Sequence, residues 1–358
     1  MTQKARSREE RGAGRAGDGV RRTTGNVTLS DVARLAGVSI ATASKALNGR
    51  DQVRAETRER VLDAAERLSF RPNPLARGLL AGATGTVGLL TGDLEGRFSL
   101  PILMGAEDAF GAGELSVFLC DARGDAIRER HHVRALLDRR VDGLIVVGSS
   151  TDPRPSLGRD LPVPVVYAYA PSEDPADLSF VPDNVAAGRM AVEHLLACGR
   201  TRIAHIAGDA GYAATTDRIA GIAAALAEAG LEPAAPCRTG AWSESWGRAG
   251  TAMLLDQGAE PDGLVCGNDQ LARGALDSLR DRGLRVPDDV AVVGFDNWQV
   301  MTEGCRPMLT SLDMNLEQLG RDAATALAQA IADGGTLAGG VRAQPARLVV
   351  RGSSVPLT

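Results

Sequence analysis

From Val27 onward, apolar positions recur at helical spacing, after a stretch with almost none. Leu29, Val32, Ala33 and Ala36 fall on one face behind Thr28-Leu29-Ser30-Asp31, a sequence suited to capping a helix start. Gly37 breaks the pattern, and Val38-Ser39 opens a second short helix over 39–47 that stops at Asn48-Gly49. A third helix is predicted from about Ala55 to Leu68, with Val61, Leu62, Ala65 and Leu68 on one face. Arg71-Pro72-Asn73-Pro74 ends this unit, and residues 75–83, LARGLLAGA, connect it to the rest.

From Thr86 the pattern becomes an alternation of apolar strands and amphipathic helices. The strands read TVGLLTGD, LSVFLCDA, DGLIVVGSS, VPVVYAY, RIAHIAGD, GLVCGND and VAVVGFDN, with helices such as 126–139, 184–199, 216–229 and 269–282 between them. Such alternation predicts parallel sheets with crossover helices. The strands are too many for one small open sheet, so two α/β lobes are expected. Several strands end in a polar residue just past the apolar run: Ser149, Asp209, Asn268 and Asp296. Ligands of open parallel sheets bind outside the strands' carboxyl ends. Two facing lobes would line a cleft with those residues.

Charge sharpens the division. Residues 1–82 hold sixteen Lys or Arg against nine Asp or Glu, whereas the remainder holds twenty-four against thirty-six. A basic head on an acidic body suits a chain whose head alone approaches a polyanion. A basic tail without consequence would give the same count. Residues 1–26 have too few apolar side chains to fold and are expected to be disordered. They lack the apolar core of a secretory signal, and no run of about eighteen apolar residues predicts a membrane span. Five scattered cysteines without a C-x-x-C pair suggest a reduced, cytoplasmic chain with no structural zinc.

VTLSDVARLAGVSIATASKALNG places a tight turn at Gly37 between two helices, the geometry that seats one helix in the DNA major groove. An ordinary helical hairpin shares that outline. The match is closer than outline, however. Asp31-Val32-Ala33, Ala36-Gly37-Val38-Ser39, Thr42, Ser44, Leu47-Asn48, the run Thr57-Arg58-Glu59-Arg60-Val61 and the later RPN resemble the lactose repressor family of bacterial regulators. The resemblance runs to about Ser353, through GLIVVGS, PDNVAAGRMAVEHLLACGRTRIAHIAGD, CGNDQLARGAL, VPDDVAVVGFDN and LVVRGS. Ala43 departs from the family's usual Val and should loosen the small core slightly.

The resemblance implies a helix-turn-helix DNA-binding domain over 27–73 and a hinge over 74–84. It also implies a two-lobed, periplasmic-binding-protein-like α/β core over 85–358 with parallel sheets. The lobes are expected at about 85–183 with 312–340, and 184–311 with 341–358. Ile40, Ala41 and Lys45 stand where the family reads bases. Lys45 could donate to guanine or merely touch phosphate. Thr42 and Ser44 suit phosphate oxygens, and Thr28, Ser39 and Asn48 join the DNA-facing set. Leu79, flanked by Arg77, matches the family's minor-groove wedge. In the core, Arg218, Trp242, Asn268 and Asp296 match ligand-contacting positions, with Phe98, Ser99 and Ser149 from the first lobe. Tyr212 is also placed at the effector site, and it and Ala214 depart from the family's polar side chains. Asp296 and Asn268 could instead only cap loops.

These expectations add up to a ligand-controlled regulator, a repressor responsive to a small molecule, expected to be a sugar. It would act as a homodimer on a near-palindromic double-stranded operator, without cofactor or metal. The chain ends soon after LVVRGS, so a dimer rather than a tetramer is expected. Removing Arg218 or Asp296 should cost ligand affinity while leaving the head, the hinge and the dimer intact. A solute-binding protein or a sugar-modifying enzyme on a similar fold is the alternative. The sequence has no P-loop, G-x-S-x-G or H-E-x-x-H motif to favour the enzyme.

Overall fold

A computed structural model describes residues 27–47, 52–70, 84–94, 97–111, 115–335 and 337–355. The expected tail, Asn48, Arg77, Leu79 and nearly all of the hinge segment lie outside the described residues. The chain forms two compact units, Met1–Arg77 and Gly78–Thr358.

In the first unit three helices, α1 (Leu29–Ala36), α2 (Ile40–Leu47) and α3 (Ala55–Arg67), enclose one small core. Thr28 starts α1, and its N–H and hydroxyl both donate to the Asp31 carboxylate, at 3.0 and 2.6 Å. Gly37 ends the helix at φ 65°, a left-handed turn that an L side chain resists. Ser39 then caps α2, its Oγ accepting from Thr42 N–H at 3.1 Å. Six of the eight buried core residues are alanines, with Val32 and Val61 the exceptions. Alanines let the helices approach closely but bury little area each. Cohesion therefore leans on the flanking Leu29, Leu47, Leu68 and Phe70. Ala43 is fully buried, so a valine's extra methyls are missing from the centre of that core.

The second unit holds two sheets. The first has strand order β10-β5-β4-β3-β1-β2, all parallel, from Thr86–Thr91 (β1), Ser116–Asp121 (β2), Gly143–Val147 (β3), Val165–Ala168 (β4), Leu178–Pro182 (β5) and Gly340–Gln344 (β10). The second has order β11-β9-β8-β7-β6, from Ile203–Ile206 (β6), Gly263–Cys266 (β7), Ala291–Phe295 (β8), Thr310–Asp313 (β9) and Arg347–Val349 (β11). Only β11 runs antiparallel.

The chain crosses between lobes three times. The first crossing follows β5, and the helix Asn184–Ala197 packs into the second-lobe core. The other two differ from expectation. All of β9 pairs in the second sheet, so the return falls after Asp313 rather than at 312. All of β10 pairs with β5, so the last crossing falls after Gln344 rather than after 340. These strands are short, and the mostly exposed β10 has no apolar run to mark its sheet.

Close helix packing positions the cleft. A Cβ on Gly188 would lie 2.5 Å from the Arg218 carbonyl oxygen, and one on Gly221 would lie 2.0 Å from that of Val185. Only glycines let helices Asn184–Ala197 and Ala213–Glu228 touch backbone to backbone.

Candidate functional site

Between the lobes lies a cavity of about 340 Å³, lined at the carboxyl ends of strands from both sheets. Arg218, which lines it, is 4% exposed. Arg218 Nε donates to Asn184 Oδ1 at 2.9 Å, a contact set by the glycine packing. Nη1 donates to the Gly267 carbonyl, and Nη2 stands 3.6 Å from Asp296 Oδ1. The guanidinium also lies 4.5 Å from the Phe295 ring centroid.

Asp296 sits just past β8 at φ 92°, followed by Asn297 at φ 48°. Left-handed non-glycine residues cost of order 1–3 kcal/mol unless surroundings hold them. Here three consecutive N–H groups are held: Asp296 to the Leu312 carbonyl, Asn297 to Ser311 Oγ, and Trp298 to Asp269 Oδ2, at 2.7, 2.9 and 2.7 Å. Asp269 is fully buried and also accepts from Ser311 Oγ at 2.6 Å. Burial, and next the nearby Asp296 carboxylate, push the Asp269 carboxyl well above the ordinary range.

Asn268 caps the helix Asp269–Asp281, its Oδ1 accepting from Leu271 N–H at 2.9 Å. It lines the cavity as well, so capping the helix and facing the cavity are compatible. Trp242 lies over Gly208, where a Cβ would come within 2.3 Å of the indole. Tyr212 meets it edge-on at 6.1 Å.

From the first lobe come Phe98, stacked on Tyr169 at 4.8 Å, and Ser149, Ser150 and Thr151 after β3. Arg97 reaches across and donates to Asp296 Oδ2. Asp152 makes a second bridge, its Oδ1 accepting from the Ala213 N–H at 2.8 Å, at the start of a second-lobe helix.

Seven of the eight expected effector residues thus line one cavity: Phe98, Ser149, Tyr212, Arg218, Trp242, Asn268 and Asp296. Ser99 does not. It is 2% exposed, its Oγ lying 2.7 Å from Thr91 Oγ1 and donating to the Asp93 carbonyl at 2.9 Å, so its hydroxyl is used in a turn. Asp209 likewise serves a turn, accepting from Gly211 N–H at 2.9 Å. Arg97, Thr151, Tyr169, Gln270 and Trp298 line the cavity without having been singled out. Thr151, Tyr169 and Gln270 follow strand ends closely, the same signal that marked Ser149 and Asp296. A larger cavity of about 500 Å³ opens on the other side of Arg97, along the interlobe crossings. Its arginines are committed: Arg347 to Asp313 at 3.0 Å and Arg351 to Asn297 at 2.8 Å. The smaller cavity gathers seven of the eight expected effector residues and is the better ligand candidate.

On α2, Ile40, Ala41 and Lys45 are exposed, whereas Thr42 and Ser44 are half-buried. Thr42 Oγ1 lies 2.8 Å from Ser39 Oγ, so these two hydroxyls already form the helix cap. Thr28 is exposed at the start of α1.

Among the described residues, no helix is long and apolar enough to cross a membrane, and no group of three or more His, Cys, Asp or Glu could hold a metal ion.

A helix-turn-helix unit joined to a two-lobed, periplasmic-binding-protein-like core defines a DNA-binding transcription regulator. Residues 28–73 match "Bacterial regulatory proteins, lacI family", and residues 192–354 match "Periplasmic binding protein-like domain". Catabolite control protein A of Priestia megaterium is 33% identical over 302 residues, covering 82% of this chain and 90% of that protein. HTH-type transcriptional repressor PurR of Vibrio campbellii is 32% identical over 319 residues, covering 86% and 92%. The Lac repressor dimer bound to operator and the anti-inducer ONPF superposes with TM-score 0.74 at 28% identity, covering 92% of this chain and 100% of that one. The transcriptional regulator CelR–cellobiose complex superposes with TM-score 0.62 at 31% identity, with the same coverage. This chain belongs to the lacI family of bacterial regulatory proteins.

Proposed function

We propose that the chain represses transcription in the cytoplasm, as a homodimer on a near-palindromic operator, under control of a small hydroxyl-rich molecule of the sugar class. The observation that carries the ligand class is Arg218 and Asp296, 3.6 Å apart, in a cavity walled by Phe98, Tyr212 and Trp242. A guanidinium beside a carboxylate can bridge vicinal hydroxyls, and aromatic faces can stack on sugar C–H faces. Buried Thr151 Oγ1 has no protein hydrogen-bond partner, which suits a ligand hydroxyl. The relatives agree in kind: CelR was solved with cellobiose, and Lac repressor with ONPF and with ONPG.

On the DNA side, the exposed Ile40, Ala41 and Lys45 would reach base edges, with Lys45 donating to guanine. Thr28, Ser39, Thr42 and Ser44 would face phosphates. Gel shifts should show binding that weakens steeply with salt. Lys45→Ala should cost roughly 1–3 kcal/mol and relax preference at one position in each half-site. Equal loss on every sequence would make Lys45 a phosphate contact. Adding the ligand to the operator complex then separates the two modes of control: release marks an inducer, tighter binding a corepressor.

A further inference from the structure

Arg97 carries chemistry that the hydroxyl-binding reading leaves unused. Its guanidinium pairs with Asp296 across the cleft, and its central carbon lies 5.0 Å from the Phe98 ring centroid and 4.8 Å from that of Trp298. Rings on its faces leave the edge for hydrogen bonding, and the Nε of that edge is buried without a partner. Among the described residues, the charged side chains lining this cavity are two guanidiniums, Arg97 and Arg218, and one carboxylate, Asp296. Asp269, the next carboxyl behind, is pushed toward its neutral form by burial and then by Asp296, and so offsets little of that excess.

We propose that Arg97 is a ligand-reading residue and selects a polyhydroxylated ligand that also carries one acid group, a carboxylate or a phosphate. The proposal rests on the hydroxyl-rich ligand inferred above and narrows it. Asp296 is spent on Arg97 in this structure. An incoming acid group replaces it on the guanidinium edge, whose planar fork suits two parallel hydrogen bonds. Asp296, still beside Arg218, turns its freed oxygen to ligand hydroxyls. Every buried charge keeps a partner through this exchange. A neutral polyol has no such replacement. It leaves Asp296 occupied, or strands Arg97 between its two rings, and stranding a buried charge is the expensive outcome.

The test is calorimetry on the full chain with D-glucose, D-gluconate, D-glucuronate and glucose 6-phosphate. At least one acid should bind about a hundredfold tighter than glucose, the range expected for one desolvated charge pair. The gluconate, glucuronate and phosphate arms tell carboxylate from phosphate. Arg97→Gln should bring the acid's affinity down to that of glucose measured on the same variant. Arg97→Lys, which keeps the charge without the fork, should keep part of the gap. Thermal melts of each variant check that the fold is retained. Glucose binding as tightly as the acids, or a gap that survives Arg97→Gln, overturns the inference and leaves the hydroxyl-rich reading standing. Failure of all four compounds to bind the wild-type chain overturns both.

Discussion

The two lobes build opposite walls of one cleft and hold them by different means. In the second lobe, Arg218 is tied to Asn184 and Gly267, and the Asp296 bend is tied to Leu312, Ser311 and Asp269. That wall is preorganised by groups that satisfy one another. In the first lobe, Arg97 is caged by two rings, and its described hydrogen bond is the one crossing the cleft. Thr151 Oγ1 and Arg97 Nε, both buried, have no protein partner at all. Orphaned buried polar atoms are rare because each costs roughly 1–3 kcal/mol. Among the described residues lining the cavity, these two orphans both lie on the first-lobe side, which marks that wall as the one completed by what it binds. The bridges Arg97–Asp296 and Asp152–Ala213 join the walls, so lobe closure and recognition share residues. A ligand that competes for such a bridge has differential affinity for the open and closed states, the physical requirement for a switch.

The strongest challenge to this contrast is to remove one arginine from each wall. Arg218→Ala should cost roughly 3 kcal/mol or more of core stability, because it leaves Asn184 Oδ1 and the Gly267 carbonyl without their donor and takes a neighbouring positive charge from buried Asp296. Arg97→Ala should cost less, roughly 1–2 kcal/mol, since the Asp296 it leaves still has Arg218 beside it. Urea melts of the two variants measure this, and equal losses would erase the distinction between the walls. Arg218 belongs to the second-lobe core as well as to the cavity wall.

A second difference is titration. The second lobe contains His205, fully buried, which burial and then the Arg218 charge depress to about 3. It also contains Asp269, raised as described. For His205 the folded pKa lies below the unfolded one, so its share of stability is complete above about 6.5 and is lost as pH falls toward 3. For Asp269 the folded pKa lies above the unfolded one, so its share is complete below about 4 and is lost as pH rises toward the raised value. Between about pH 4 and 6.5 the two oppose each other. Subtracting the wild-type curve from that of Asp269→Asn should give a stability difference that grows with pH, by up to about 1.4 kcal/mol per unit. The same subtraction for His205→Gln should give a difference that grows as pH falls. Two differences of the same sign, or two flat ones, would show that these burials do not control the second lobe.

How far the molecule was legible follows the same physics. The three head helices, the seven apolar strands and the first lobe crossing stood out because each is a local pattern of burial. Strands β10 and β11 did not: they are short, and β10 exposes most of its residues. Asn268 and Asp296 were readable as polar residues ending apolar runs, and Arg218 and Trp242 through resemblance. Arg97 was not readable, because its role exists only once Asp296, 199 residues away, lies against it. Trp298 was missed for a related reason, since it faces the cleft through a left-handed bend that no spacing rule announces.

Ser99 and Thr151 give the finest test, because both are buried first-lobe hydroxyls and only one is satisfied. Ser99 Oγ closes a turn with Thr91 and Asp93, whereas Thr151 Oγ1 faces no protein partner. Ser99→Ala should therefore cost about 1 kcal/mol of stability, the usual net value of one internal hydrogen bond, and leave ligand affinity unchanged. Thr151→Val keeps the shape of the side chain and removes an unpaired oxygen. Stability should hold or rise by up to about 1 kcal/mol, while ligand affinity drops several-fold for the lost hydrogen bond. Thermal melts and calorimetry on the two variants read both quantities. The opposite pattern, with affinity tracking Ser99 and stability tracking Thr151, would place the ligand against the β1 turn and restore Ser99 to the site.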